Sequence, residues 1–181
     1  MTPEFKYDWF SPIRADMERF VSPDLGRILE IGSFEGQSTR FFLERCPAAT
    51  MTCVDHFQGG EDQQSLDLSS LLDRFLANVA EFKHRIQIYQ MDSWKAWTYM
   101  LYSHFDLIFV DGSHLAPDVL NDLCQSYRCV RQDGLIIADD YSWENQRSDC
   151  PKVAIEAFLT CFKDRVRTLY LDRIAVMQKV C

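Results

Sequence analysis

The segment RILEIGSFEG, residues 27–36, decides the fold. Its apolar run at 27–33 predicts a buried strand, and residues 36–46 predict a helix. Glycine between a first strand and a first helix lets the backbone approach a ligand closely, and the N–H groups at the helix start attract a carboxylate or phosphate. The alternative is an ordinary tight turn, because a pair of glycines is a weak signal on its own.

Short apolar runs alternate with amphipathic helices along the rest of the chain. Predicted strands follow at 51–57, 85–89, 105–111 and 134–139, and predicted helices at 68–82, at 94–102, from Pro117 and from Pro151. The runs are apolar throughout, which is typical of a parallel sheet with helices on both faces. Two further runs, 166–170 and 174–180, lie a few residues apart, which predicts a hairpin and an antiparallel last strand.

The composition is that of one folded domain. With 181 residues, 47% of them hydrophobic and 25% charged, we expect a single domain over 1–181, with a lid or cap segment at 1–26 and a core at 27–181. The formal net charge of -8 disfavours nucleic acid and anionic membrane surfaces as partners. Seven cysteines without metal-site spacing, and an N-terminus without an apolar signal stretch, predict a cytoplasmic protein with reduced thiols. No apolar run approaches the roughly 18 residues of a membrane span.

Polar residues follow the second and third predicted strands. Asp55 lies about 20 residues beyond Gly36, where mononucleotide-binding folds hold the ribose hydroxyls. The alternative is a solvated carboxylate at a strand end. Asp92 and Ser93 follow the third strand, where they either reach an adenine ring or cap the next helix.

Carboxylates also follow the fourth and fifth predicted strands. Asp111 ends the fourth strand, and Asp139 and Asp140 end the fifth. Because like charges at one sheet edge repel each other, the three aspartates favour a divalent cation held by oxygen ligands. Alternatively, Asp111 belongs to a turn and Asp139 only accepts backbone hydrogen bonds. His114, just past the fourth strand, is a candidate proton acceptor near neutral pH.

Taken together, these motifs resemble the class I S-adenosylmethionine-dependent methyltransferases, and more narrowly a small bacterial group related to the catechol-type and sugar O-methyltransferases. The resemblance rests on LEIGSFEG (29–36), VDHFQGG (54–60), FDLIFVDGSH (105–114) and GLIIADDY (134–141), and extends to DWFS (8–11) and PKVAIEAFLTCF (151–162). It implies a Rossmann-like α/β fold. The sheet would be seven-stranded and mostly parallel, with helices on both faces and an antiparallel C-terminal hairpin strand.

The resemblance also implies S-adenosylmethionine as the cofactor and assigns residues to it. The loop on the methionine side would contain Glu30, Gly32, Ser33 and Gly36, with Ser38 near the amino-acid carboxylate. The ribose would lie against Asp55 and His56, the adenine against Asp92 and Ser93, and Asp111 would complete the site.

Phe34 stands where the commonest loop of this family has a further glycine. The catechol-type enzymes also carry an aromatic residue there, and they hold magnesium with acidic residues after strands four and five. The resemblance therefore implies a Mg²⁺ site formed by Asp111, Asp139 and Asp140, and it leaves open whether the metal is required.

The expected activity is O-methylation of a small-molecule hydroxyl, with Asp111 and His114 as catalytic residues. Aromatic residues near the chain start (Tyr7, Trp9 and Phe10), together with Trp143, form either an acceptor pocket or plain core and dimer contacts. The alternatives are a catalytically inactive relative that binds the cofactor or a protein partner, and a nucleotide- or nicotinamide-binding oxidoreductase on a similar sheet. The absence of G-x-G-x-x-G and the terminal hairpin count against the oxidoreductase. A homodimer is left open.

Overall fold

The computed structural model describes residues 3–60, 63–143 and 148–181. The strands are β1 (Arg27–Ile31), β2 (Thr50–Val54), β3 (Ile86–Tyr89), β4 (Phe105–Val110), β5 (Val130–Ala138), β6 (Val166–Leu171) and β7 (Ala175–Lys179). The helices are α1 (Ser11–Phe20), α2 (Gln37–Arg45), α3 (Leu71–Asn78), α4 (Ser93–Ala96), α5 (Ala116–Cys129) and α6 (Pro151–Cys161), with 3₁₀ turns at Ala80–Arg85 and Trp97–Tyr99.

The seven strands form one sheet in the order β3-β2-β1-β4-β5-β7-β6. Strands β1 to β5 are parallel to one another, whereas β7 is antiparallel to both β5 and β6. The predicted α/β fold, with its mostly parallel sheet and antiparallel hairpin strand, is thereby confirmed. The strand order reverses between β1 and β4, and ligands of open α/β sheets bind at such a point.

Both faces of the central sheet are buried at β1 and β4, and this explains why these strands are apolar in both directions. Ile28 and Phe109 pack with α1, α2 and α3 in one core cluster. Leu29 and Ile108, each one residue away, pack with α5 and α6 in the other. Successive strand residues point to opposite faces, so each strand needs apolar side chains in both directions.

Several boundaries differ from the sequence-based expectation. Helix α1 was not predicted, since 1–26 was expected to be only a lid or cap, yet Ile13 and Met17 of α1 are buried in the core. Strand β5 begins at Val130 rather than at 134, and α3 begins at Leu71 rather than at 68. None of the helices in the described ranges is long and apolar enough to span a membrane.

The side chain of Asp122 in α5 is buried against α4. Trp97 Nε1 donates to its Oδ1 at 2.7 Å and Ser93 Oγ to its Oδ2 at 3.1 Å. Burial raises the pKa of Asp122 to about 6, although these two hydrogen bonds act in the opposite direction. Ionisation of Asp122 therefore costs more in the folded than in the unfolded chain.

We expect Asp122→Asn to reduce the loss of stability between acidic and neutral pH. Because the carboxyl ionises at a lower pH in the unfolded chain than in the folded one, its ionisation lowers the free energy of unfolding of the wild type as pH rises from about 4 to 6. The variant has no such carboxyl, so its free energy of unfolding should fall by about 2 kcal/mol less. Urea unfolding of both proteins at about pH 4 and pH 7 measures the difference. Equal pH dependence in the two proteins would show that the Asp122 pKa is not raised.

Candidate active site

Two adjoining cavities lie at the carboxyl ends of the parallel strands. The first cavity, of about 310 Å³, is bounded by the loops after β1, β2, β3 and β4. The second cavity, of about 570 Å³, lies between the loops after β1 and β5 and the residues around the start of α1. The residues that line both are Gly32, Phe34, Gln63, Asp111, His114 and Trp143.

The loop after β1 lines both cavities through Gly32 and Phe34. Gly32 has a φ of +84°, and a Cβ added there would lie 2.0 Å from the carbonyl oxygen of Asp111. The sequence suggested that this glycine lets backbone approach a ligand. In the structure it lets the ends of β1 and β4 approach each other. Phe34, with a φ of 45°, follows in the left-handed region and faces both cavities.

Glu30 lies beneath this loop, fully buried. Its carboxylate accepts hydrogen bonds from the hydroxyl groups of Ser33, Ser38 and Thr39, and burial raises its pKa. These bonds join β1 to the first turn of α2. Ser38 lines the second cavity, while Glu30 is not among the lining residues of either cavity. Sequence reasoning missed Thr39.

Asp55 fixes the conformation of the same loop from the end of β2. Its Oδ2 accepts the backbone N–H groups of Ser33 at 2.9 Å and Phe34 at 2.8 Å, and its Oδ1 accepts that of Phe57 at 2.6 Å. Because each carboxylate oxygen can accept two hydrogen bonds, Oδ1 retains room for a ligand hydroxyl. Asp55 and the neighbouring His56 both line the first cavity. Their contact with a ribose stays a prediction.

Asp92 and Ser93 line the opposite side of the first cavity, and their contact with an adenine stays a prediction. Asp92 occupies the N-cap position of α4, but its side chain makes no cap hydrogen bond. Sequence reasoning missed Trp94 and Asp118. Trp94 Nε1 donates to Asp118 Oδ1 at 2.8 Å, which ties this side of the cavity to α5.

An acidic cluster lies where the cavities meet. Asp111, His114 and Asp140 each offer one possible ligand atom, and these atoms lie within 4.8 Å of one another. His114 Nε2 is 3.0 Å from Asp140 Oδ2, and the imidazole packs against Trp143 with ring centroids 4.6 Å apart. Asp139, the residue before Asp140, is not part of this set of three possible ligands. The amide of Asp140 donates to its Oδ1 at 2.8 Å.

Burial and mutual repulsion disfavour the charged carboxylates in this cluster. The pKa of Asp111 is raised well above its usual range, first by burial and then by Asp139 and Asp140. Burial and Asp140 raise the pKa of Asp139 to about 7. Two oxygen donors and an imidazole form a donor set that fits a divalent cation, whose charge would relieve this repulsion. The three-aspartate ligand set inferred from the sequence stays a prediction.

Aromatic side chains line the second cavity. Trp9 stacks on Phe34 with ring centroids 4.7 Å apart, and Tyr7 stacks on Trp9 at 5.5 Å. Phe10 and Trp143 also line this cavity, so the aromatic residues named from the sequence are brought together. Arg173, in the turn between β6 and β7, lines it too and was missed.

The chain is similar to known proteins in sequence and in fold. A family model described as "Methyltransferase domain" matches residues 29–141. An uncharacterized protein of Acanthamoeba polyphaga mimivirus is 27% identical over 124 residues, which are 67% of this chain and 54% of that protein. The chain thus spans about half the length of this curated relative.

Solved structures share the fold at low sequence identity. The O-methyltransferase from Streptomyces achromogenes involved in tomaymycin synthesis, solved with SAM, has a TM-score of 0.69 and 14% identity, over 99% of this chain and 82% of that one. The O-methyltransferase from Bacillus cereus, solved with SAH, has a TM-score of 0.70 and 16% identity, over 100% of this chain and 84% of that one.

Proposed function

The chain belongs to the methyltransferase-domain family, and on that premise we propose that it transfers a methyl group from S-adenosylmethionine to a hydroxyl group of a small molecule. The observation that carries the proposal is the pair of cavities that meet at Asp111, His114 and Trp143. Group transfer needs two ligands held with their reacting atoms in contact. A cofactor cavity that opens into an acceptor cavity fits this requirement.

The first cavity fits the cofactor. Its volume of about 310 Å³ is in the range of ligand cavities, and the carboxylates of Asp55 and Asp92 border it as acceptors for ribose and adenine groups. The structural relatives solved with SAM and SAH support this choice. When bound, the cofactor would supply a methyl group on a sulfonium centre: the acceptor oxygen bonds to the methyl carbon in line with the carbon–sulfur bond, which breaks to release S-adenosylhomocysteine.

The second cavity holds the acceptor in this proposal. Its aromatic wall orients an apolar body, while the imidazole of His114 takes the hydroxyl proton. Asp140 Oδ2, 3.0 Å from Nε2 of that ring, orients the imidazole and stabilises the resulting imidazolium. Such a base contributes about 10²- to 10⁴-fold to a rate. The net charge of -8 favours a small molecule over nucleic acid as the acceptor.

The same cluster provides a second way to activate the hydroxyl. Asp111, His114 and Asp140 would hold a divalent cation, Mg²⁺ or a softer ion that accepts imidazole, with Asp139 beside it. The ion would lower the pKa of the bound hydroxyl. Turnover that stops in a chelator and returns with added metal supports this route. Full turnover in the chelator supports His114 as the base without metal.

Calorimetric titration of S-adenosylhomocysteine into the wild type tests the cofactor assignment. We expect a Kd on the order of micromolar, and a Kd at least about tenfold higher for Asp55→Ala, because a ribose contact and the support of the loop are both lost. Asp164→Ala, which alters an exposed carboxylate elsewhere, should bind like the wild type.

Two outcomes would contradict the assignment. Unchanged affinity in Asp55→Ala removes that residue from the site. A folded, ligand-free wild type that does not bind S-adenosylhomocysteine overturns the proposed function. Binding of NAD by that same protein would instead indicate the oxidoreductase alternative.

A further inference from the structure

Glu35 lies in the loop between β1 and α2, lines the second cavity but not the first, and has a side chain that is 1% exposed. Its Oε2 accepts the backbone N–H groups of Lys6 at 2.7 Å and Tyr7 at 3.2 Å. Its Oε1 accepts Arg74 Nε of α3 at 2.7 Å. One buried carboxylate thus joins the loop to two other parts of the chain, and replacing it leaves several donors without a partner.

Asn78 of α3 makes the second attachment of this kind. Its side chain exchanges two hydrogen bonds with the backbone of Glu4, at 2.9 and 3.0 Å, and donates to the carbonyl oxygen of Glu35 at 2.9 Å. We call residues 4–9 the N-terminal segment. Its backbone is held by the loop and by α3 through Glu35 and Asn78.

Other contacts of the N-terminal segment are weaker anchors. Lys6 Nζ lies 2.6 Å from Asp67 Oδ2, but the two side chains are 44% and 56% exposed, and such ion pairs contribute little. Trp9 is 47% exposed, so burial does not fix its position. The stack of Trp9 on Phe34 depends on where the backbone of the segment is held.

The N-terminal segment forms part of the second cavity only. Tyr7 and Trp9 line that cavity, whereas Phe34 lines both. The loop 32–36 thus lines the first cavity through Gly32 and Phe34. Through the hydrogen bonds of Glu35, the same loop also holds the N-terminal segment, which lines the second cavity. A ligand that stabilises this loop conformation must also stabilise the attached segment.

We propose that Glu35 is a positioning residue that couples the two cavities, so that a cofactor bound in the first orders the acceptor wall of the second. This inference rests on the proposed function for the identity of the cofactor. Because coupling between sites is reciprocal, release of the N-terminal segment weakens cofactor binding by the same factor by which the cofactor stabilises the segment.

Hydrogen exchange at the amides of Lys6 and Tyr7, with and without S-adenosylhomocysteine, tests the coupling. We expect the ligand to slow exchange at these amides of the wild type by at least about fivefold, and Glu35→Gln to lose this effect while its Kd rises by a similar factor. A purely structural role for Glu35 would leave the exchange rates independent of the ligand. Lys6→Gln, which removes the exposed ion pair with Asp67 and a distant contact with the Tyr7 ring but leaves Glu35 unchanged, should behave like the wild type.

Trp9→Ala provides a second variant if Glu35→Gln does not fold. Trp9 is half exposed, and its replacement removes the ring contacts with Phe34 and Tyr7 but no buried hydrogen bond. It should also reduce the ligand-dependent slowing. Ligand binding to the wild type without slowing, or slowing that persists in the folded variants, overturns the coupling and leaves the proposed function intact. No binding to the wild type overturns both.

Discussion

Replacing His114 by alanine is expected to lower kcat for a hydroxylated acceptor by about 10²- to 10⁴-fold, while the Kd for S-adenosylhomocysteine changes by less than about threefold. The imidazole lies where the two cavities meet, 3.0 Å from Asp140, and serves either as the base or as a metal ligand. Both roles act on the acceptor oxygen, so the loss falls on turnover. The measurement is S-adenosylhomocysteine formation with an acceptor selected by screening against the wild type.

Two further variants make this prediction specific. His84→Ala, at an exposed site in the 3₁₀ turn Ala80–Arg85, should keep wild-type turnover. Asp140→Asn should abolish any dependence of turnover on a divalent metal, because it removes a charged ligand. Near wild-type turnover in His114→Ala would exclude His114 from proton transfer and from metal binding.

The fold was predictable because its strands and turns carry local signals. Apolar runs in both side-chain directions predict buried parallel strands, and the close spacing of β6 and β7 predicts their hairpin. Helix α1 also carries a signal, because Ile13, Met17 and Phe20 recur at helical spacing after Pro12.

The candidate site was only partly predictable. Residues at strand ends, such as Asp55 and Asp111, are found by counting strands, since parallel strands end at one edge. Glu35 and Arg74 are 39 residues apart, and their contact depends on how α3 packs. Nor does the sequence show that Asp140 rather than Asp139 joins His114. That choice depends on backbone geometry, including a φ of 60° at Asp140.

Gly32→Ala should have the second large effect, on both stability and cofactor binding. The new Cβ would lie 2.0 Å from the carbonyl oxygen of Asp111, at a φ of +84° that side chains rarely adopt. The neighbouring atom is backbone of the residue directly after β4, so relief requires the ends of two central strands to separate. We expect a loss of about 3 kcal/mol or more of unfolding free energy, corresponding to a melting temperature lower by roughly 6–12 °C.

Cofactor binding should fail in the same variant even where it remains folded. The loop after Gly32 carries the amides that Asp55 binds, and separation of β1 from β4 displaces them. We expect the Kd for S-adenosylhomocysteine to rise at least about 100-fold, or about 3 kcal/mol. Gly26→Ala, just before β1, places its Cβ 3.3 Å from the Asp106 carboxylate, a contact that a shift of a few tenths of an ångström relieves, and should cost less than about 1 kcal/mol. Equal stability and affinity in the two variants would show that the close approach of β1 and β4 does not shape the cofactor site.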